Sequence, residues 1–292
     1  MPDDRELSTG RNFAVYKAGM DASLAVKIAD ICPHVWPGLI VDKGCGTGLL
    51  LLHMAGQWPR SHIVGVDCSQ HLLETARNQP YPSSNVRIVE GDIVDQHFAR
   101  GAITTTIFSS VMHELYSYNG YDREPARRAL RNTYKELASH GRVIIRDGVK
   151  PPDGTVWMRC DAETEARFRR FAQDFKRDSP QPGVVFDERV CEGHKWFVLS
   201  LHSANEFLSK KDYLENWAIE VNEEFGVFTL QEWISELRGL GYRNVEARSY
   251  LNPWILEHRY RGKVWLHQDE GARPGAEMPF PDTTAVIVGE AA

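Results

Sequence analysis

No apolar run in this chain of 292 residues approaches the roughly 18 residues that span a bilayer as a helix. The opening stretch MPDDRELSTGRN is acidic and polar, without the apolar core of a secretory signal. The expectation is therefore a cytoplasmic protein. Cysteine is scarce: five residues, at 32, 45, 68, 160 and 191, with no Cys-x-x-Cys pair, which argues against a disulfide framework and a cysteine-bound zinc. The histidines show no metal-ligand spacing, so no metal is expected. Repeats and low-complexity segments are absent. A strong positive balance is also missing: the first 150 residues carry 17 basic and 16 acidic side chains, the remainder 17 and 24. That weighs against nucleic acid as a partner. The 42% hydrophobic content, over this length, is enough for one large domain or two small ones with a real core.

The first half alternates apolar runs with amphipathic stretches. Residues 21–32 place Leu24, Ile28 and Ile31 at helical spacing, with Asp21 as N-cap. Strands are predicted at 39–41, 63–66, 86–89, 103–109 and 142–146. Helices are predicted at 49–56, at 70–78 behind an N-cap at Ser69, and at 123–137. Strand and helix in alternation indicate βαβ units, hence a doubly wound α/β fold with a mostly parallel sheet. After Asp147 the rhythm changes. Helical patterns appear at 161–175, 204–217 and 230–240, and strands return only at 244–250 and 284–288. Residues 151–228 read as a mostly helical insertion, and 229–292 as the final helix and closing strands of the domain begun in residues 1–150.

The strongest chemical signal is Leu39-Ile40-Val41-Asp42-Lys43-Gly44-Cys45-Gly46-Thr47-Gly48. A strand ends in Gly-x-Gly-x-Gly and a helix follows at once, so backbone can approach a ligand with no Cβ in the way. Asp67 ends the next strand, where a carboxylate suits the two hydroxyls of a ribose. Gly91-Asp92-Ile93 follows the third strand, where a carboxylate can reach an adenine amine. Together these point to an adenosine-containing cofactor. Dinucleotide sites usually read Gly-x-Gly-x-x-Gly; here the spacing is Gly-x-Gly-x-Gly, preceded by an acid.

That pattern resembles the class I S-adenosylmethionine-dependent methyltransferases, clearly over residues 20–150 and more loosely over the closing strands. The resemblance implies a seven-stranded sheet and S-adenosylmethionine as cofactor. Gly44, Gly46 and Gly48 would pass beneath its methionine part, and Asp67, with Cys68 beside it, would bind the ribose. Asp92 and Ile93 would frame the adenine, and Ser110 would lie by the transferring methyl. Asp42 would hold the glycine loop or the cofactor's amino group. Lys43 departs from the pattern, standing where the family usually keeps an apolar residue.

Acceptor chemistry is expected where the fourth strand ends, in Ser109-Ser110-Val111-Met112-His113-Glu114-Leu115-Tyr116. His113 is the first choice for a general base, since an ordinary imidazole is mostly neutral at pH 7. Glu114 could orient it, bind a cationic acceptor or take the proton itself. Tyr116, Arg146 at the end of strand five, and Trp254 are candidates for binding the acceptor. The insertion would close over a small-molecule acceptor as a lid, its many aromatics forming mostly its own core. Three other readings stay open: an RNA or protein methyltransferase, a nicotinamide-dependent oxidoreductase, and a non-catalytic cofactor-binding partner of another chain. The oxidoreductase is disfavoured by the loop spacing and by the lack of a Tyr-x-x-x-Lys pair. The oligomeric state, a homodimer included, is open as well.

Overall fold

A computed structural model describes residue 12 and residues 23–292 of the chain; the N-cap expected at Asp21 lies outside the described residues. In chain order the elements begin α1 (residues 23–31), β1 (Leu39–Lys43), α2 (Leu49–Gln57), β2 (His62–Asp67) and α3 (Gln70–Arg77). They continue with β3 (Val86–Glu90), β4 (Ile103–Ser109), α4 (Met112–Ser117), α5 (Glu124–Glu136) and β5 (Leu137–Asp147). Then come β6 (Thr155–Cys160), α6 (Ala162–Asp174), β7 (Phe186–Cys191), β8 (His194–Ser200), α7 (Leu201–Lys210), α8 (Trp217–Glu220) and α9 (Leu230–Gly239). The last four strands are β9 (Arg243–Tyr250), β10 (Val264–Asp269), β11 (Pro274–Glu277) and β12 (Thr284–Glu290).

Two compact units divide the chain. One reaches Asp147 and adds Leu230–Arg248 and Ala285–Ala292; the other comprises Gly148–Thr229 and Ser249–Thr284. The first is built on a seven-stranded sheet in the order β3-β2-β1-β4-β5-β12-β9. β1 pairs in parallel with both β2 and β4, β2 with β3 and β4 with β5, while β12 runs antiparallel to β5. The expected doubly wound α/β sheet is thus present. Strands covered on both faces read as continuous apolar runs, as in β1, where Ile40 and Val41 are wholly buried. Ile28 and Ile31 of α1 join Ile40, Cys45, Leu50 and Leu51 in one core cluster. Ser69 caps α3 as expected, its hydroxyl accepting the Leu72 N–H. The strand order reverses between β1 and β4, and in open α/β sheets that switch point leaves a crevice at the carboxyl ends of the strands.

One strand begins earlier than expected. β5 starts at Leu137, pairs with Ile103, and is then offset at His140, whose φ is 64°, before pairing resumes as Thr105 with Arg142. The His-Gly step kinks this strand and does not precede it.

The second unit corrects the expected organisation more deeply. It holds a five-stranded sheet in the order β11-β10-β6-β8-β7, with every pairing antiparallel. Residues 151–228 are therefore not a helical insertion alone; beside α6, α7 and α8 they supply three of these strands. Residues 249–284 supply the other two, so the segment 229–292 is shared between the units. The physical reason lies in the faces of the sheet. Val156 and Met158 enter a core with Phe168, Phe171, Phe197 and Phe207, while Trp157 and Trp196 are buried on the opposite face. Bulky apolar groups on both faces erase the apolar-polar alternation that marks a half-exposed strand. Among the described residues no helix is long and apolar enough to cross a membrane.

Candidate active site

The glycine loop is folded back onto the end of β2. The N–H groups of Gly44 and Cys45 both donate to the Val66 carbonyl, at 2.7 and 3.1 Å. Gly46 donates to Asp67 Oδ2 at 2.8 Å, and Ser69 to Asp67 Oδ1 at 3.0 Å. Gly44 and Gly48 adopt φ of 85° and 79°, where side chains are strained. A Cβ on Gly44 would also lie 2.7 Å from Val111 Cγ2. Asp67 ties the loop to α3 and, beyond its backbone N–H donors, keeps a lone pair for a ligand hydroxyl. Burial raises its pKa, opposed by the N–H groups of Ser69, Gly46 and Cys68.

Asp42, near the end of β1, is 2% exposed, and its Oδ1 has no hydrogen-bond partner among the described residues. Burial pushes its carboxyl up to about 7, against the attraction of Lys27. A buried acceptor without a partner is costly, about 1–3 kcal/mol, and invites a cationic ligand group. Desolvation, then the carboxylates of Asp67, Asp92 and Glu114, hold the Cys68 thiol up at about 11. Asp92 Oδ1 accepts the Val94 N–H at 2.9 Å and Ile93 is buried beside it. Asp42, Asp67, Asp92, Glu114 and Asp147 thus line the carboxyl edge of the sheet, an acidic rim suited to a ligand of positive charge.

At the end of β4, Ser110 takes a left-handed conformation with φ 58° and donates its N–H to the Arg146 carbonyl at 2.7 Å. That kink turns the chain into α4, which carries His113. The imidazole Nδ1 lies 2.6 Å from Asp147 Oδ1, while Asp147 Oδ2 accepts the N–H groups of Met112 at 2.7 Å and His113 at 3.3 Å. An ionised carboxylate only accepts, so Nδ1 carries the hydrogen and the ring's basic lone pair is at Nε2. Asp147 was not singled out for this role in the sequence, because the two residues are 34 positions apart and no spacing rule joins them.

The remaining candidates are placed as follows. Arg146 is engaged within the first unit: Nε meets Asp30 Oδ2 at 3.0 Å and Nη1 meets Ser110 Oγ at 3.4 Å. Asp30 Oδ1 also accepts from Arg248 at 2.6 Å, completing a charged chain that anchors α1 to β5. Glu114 and Tyr116 are half-buried on α4, Tyr116 packing edge-on against Tyr121 at 5.7 Å. Trp254 belongs to the second unit, where it is 55% exposed and stacks on His258 at 4.6 Å. Lys43, anomalous in the sequence, is explained: it is wholly buried, with Nζ 2.7 Å from Glu136 Oε2 and 3.2 Å from Thr133 Oγ1. Glu136 Oε1 in turn accepts the N–H groups of His97 and Phe98.

A family model described as a methyltransferase domain matches residues 40–141. A demethylmenaquinone methyltransferase of Thermus thermophilus is 26% identical over 141 residues, 48% of this chain and 60% of that protein. A malonyl-[acyl-carrier protein] O-methyltransferase of Legionella pneumophila is 34% identical over 77 residues, 26% of this chain and 27% of that one. The matches thus span less than two thirds of these relatives' own lengths. Among solved structures, a SAM-dependent methyltransferase of Thermotoga maritima aligns over 96% of both chains with a TM-score of 0.53 at 12% identity, a likeness of fold. The family match, the reversed sheet order and the acid-led glycine loop identify residues 40–141 of the first unit as a methyltransferase domain with the class I architecture.

Proposed function

We propose that the chain transfers a methyl group from S-adenosylmethionine to a small-molecule acceptor whose attacking oxygen or nitrogen carries a proton. The observation that carries this reading is the His113–Asp147 pair beside the glycine loop. When bound, the cofactor supplies a methyl on a sulfonium, already activated for in-line displacement. The glycine loop and the carboxylates of Asp42 and Asp67 hold it; Asp92 and Ile93 frame its adenine. His113 Nε2 takes the acceptor's proton, and Asp147 fixes the tautomer and stabilises the imidazolium that forms. Glu114, one residue on, is a candidate for holding the acceptor. The names of the relatives, a demethylmenaquinone methyltransferase and a malonyl-[acyl-carrier protein] O-methyltransferase, support a metabolic acceptor over RNA, as does the acidic second half.

The test is a screen of hydroxyl and amine acceptors read by formation of S-adenosylhomocysteine, followed by variants on the best acceptor. His113→Ala should lower kcat by roughly 10²–10⁴ while affinity for S-adenosylhomocysteine stays within about threefold. Asp147→Asn should lower kcat comparably. Full turnover by His113→Ala would remove the base from this reading.

A further inference from the structure

The face of the second unit's sheet that carries Trp157 and Trp196 also carries an arginine with no counter-ion among the described residues. Arg159 on β6 stands opposite Trp265 on β10, and Trp196 on β8 stands opposite Arg189 on β7. Met158 pairs with Phe197, so Arg159 and Trp196 come next in the same register. The four side chains therefore form one row across four strands: indole, guanidinium, indole, guanidinium. The Arg159 guanidinium lies 4.3 Å from the centre of the Trp265 ring and 5.6 Å from that of Trp196. Both contacts attract a cation, but neither supplies a hydrogen-bond acceptor or a full negative charge.

The two arginines of the row differ in what else they meet. Arg189 donates to Asp187 at 3.2 Å and to the Gly271 carbonyl at 2.8 Å. Arg159 makes no hydrogen bond or ion pair with any described residue, and its Nε is buried without a partner. Beside it in the row, Trp196 is 5% exposed and its indole N–H is orphaned in the same way. Two acids on this face are engaged by other groups, Asp187 by Arg189 and Asp269 by the Trp157 indole N–H at 2.8 Å. Buried donors left without acceptors are costly. Two of them in one row, with an unpaired charge, call for an anion that these residues do not provide.

We propose that this row is a binding site for a small aromatic carboxylate, its carboxylate engaging Arg159 and its ring lying against Trp265. The planar guanidinium presents N–H groups in a fork that matches a carboxylate. Trp265 is half-buried, so part of its indole is open to a ligand ring. One unpaired cation on a face that also holds Asp187 and Asp269 favours a single negative charge over the two of a phosphate.

The experiment is calorimetric titration of the full chain with indole-3-acetate, its neutral counterpart indole-3-acetamide, and inorganic phosphate. The carboxylate should bind with a dissociation constant below about 1 mM, and the amide and phosphate at least about tenfold more weakly. Arg159→Gln should weaken the carboxylate at least about tenfold, the loss of one charge-assisted contact. Trp265→Ala should weaken it about threefold. Arg189→Gln removes a guanidinium that already has partners, and should leave the affinity within about twofold. Thermal unfolding of each variant separates loss of the site from loss of the sheet. If Arg159→Gln does not fold, Trp265→Ala and the preference of the wild type for carboxylate over amide decide the matter. No binding of the carboxylate by the wild type overturns the proposal, as does equal affinity for the amide. Unchanged affinity in folded Arg159→Gln or Trp265→Ala overturns it too, and phosphate bound as tightly as the carboxylate overturns the ligand class.

Discussion

Lys43 and Glu136 show how a single side chain can look wrong in the sequence and be required in the fold. Both are wholly buried; the ammonium donates to Glu136 and Thr133, and the carboxylate also receives two backbone N–H groups. Removing one partner strands the other charge, whereas replacing both by apolar groups is often tolerated. Glu136→Gln should therefore destabilise the chain by about 3–5 kcal/mol in urea unfolding, and adding Lys43→Met should recover a large part of that loss. An equal or greater loss in the double variant would contradict the pairing. Asp42 gives a residue-scale prediction in pH. Its carboxyl is held up at about 7 by burial, so between the ordinary carboxylate range and that value the folded chain binds a proton that the unfolded chain has released. Stability from this group is present at low pH and declines as pH rises toward about 7. The stability difference between wild type and Asp42→Asn, measured without ligand, should fall from about pH 5 to about pH 7 and then level off. A flat difference would show that Asp42 is ionised throughout.

At the scale of elements, the parts legible in the sequence are those with strong local rules. β1 to β4, α2, α3, α5, α6 and α9 follow from apolar periodicity, caps and glycine breaks spanning a few residues. Asp161, for example, caps α6 by accepting the Thr164 N–H, as its place before an amphipathic run suggests. β6 and β8 escaped because their periodicity is masked by aromatics on both faces, and β7 because three charged residues, Asp187, Glu188 and Arg189, interrupt it. A turn signal for β7 and β8 was nevertheless there: Glu192 and Gly193 join them as a two-residue turn with φ of 53° and 74°. Both residues in the left-handed region mark the mirror-image turn that suits the strand twist, in which Asn-Gly is the favoured pair. Gly193→Ala should thus destabilise by about 1 kcal/mol through backbone strain alone, since a Cβ there meets nothing. Glu192→Asn should stabilise by a few tenths of a kcal/mol, and thermal unfolding of the two variants checks both signs.

At the scale of the whole molecule, local pattern and long-range contact divide the credit. The composition, the βαβ rhythm, the acid-led glycine loop and the acids after strands two and three determined the fold class and the cofactor, because those features need only residues near one another in the chain. The second sheet, the His113–Asp147 pair and the buried ion pairs were decided in three dimensions. His113 meets Asp147 across 34 positions, Lys43 meets Glu136 across 93, and Asp30 meets Arg146 and Arg248 across 116 and 218. No periodicity or spacing encodes such pairs. They exist because β1, β4 and β5 lie side by side, so that residues distant in the chain reach the same edge, where burial leaves each charge dependent on the partner that the sheet order brings to it.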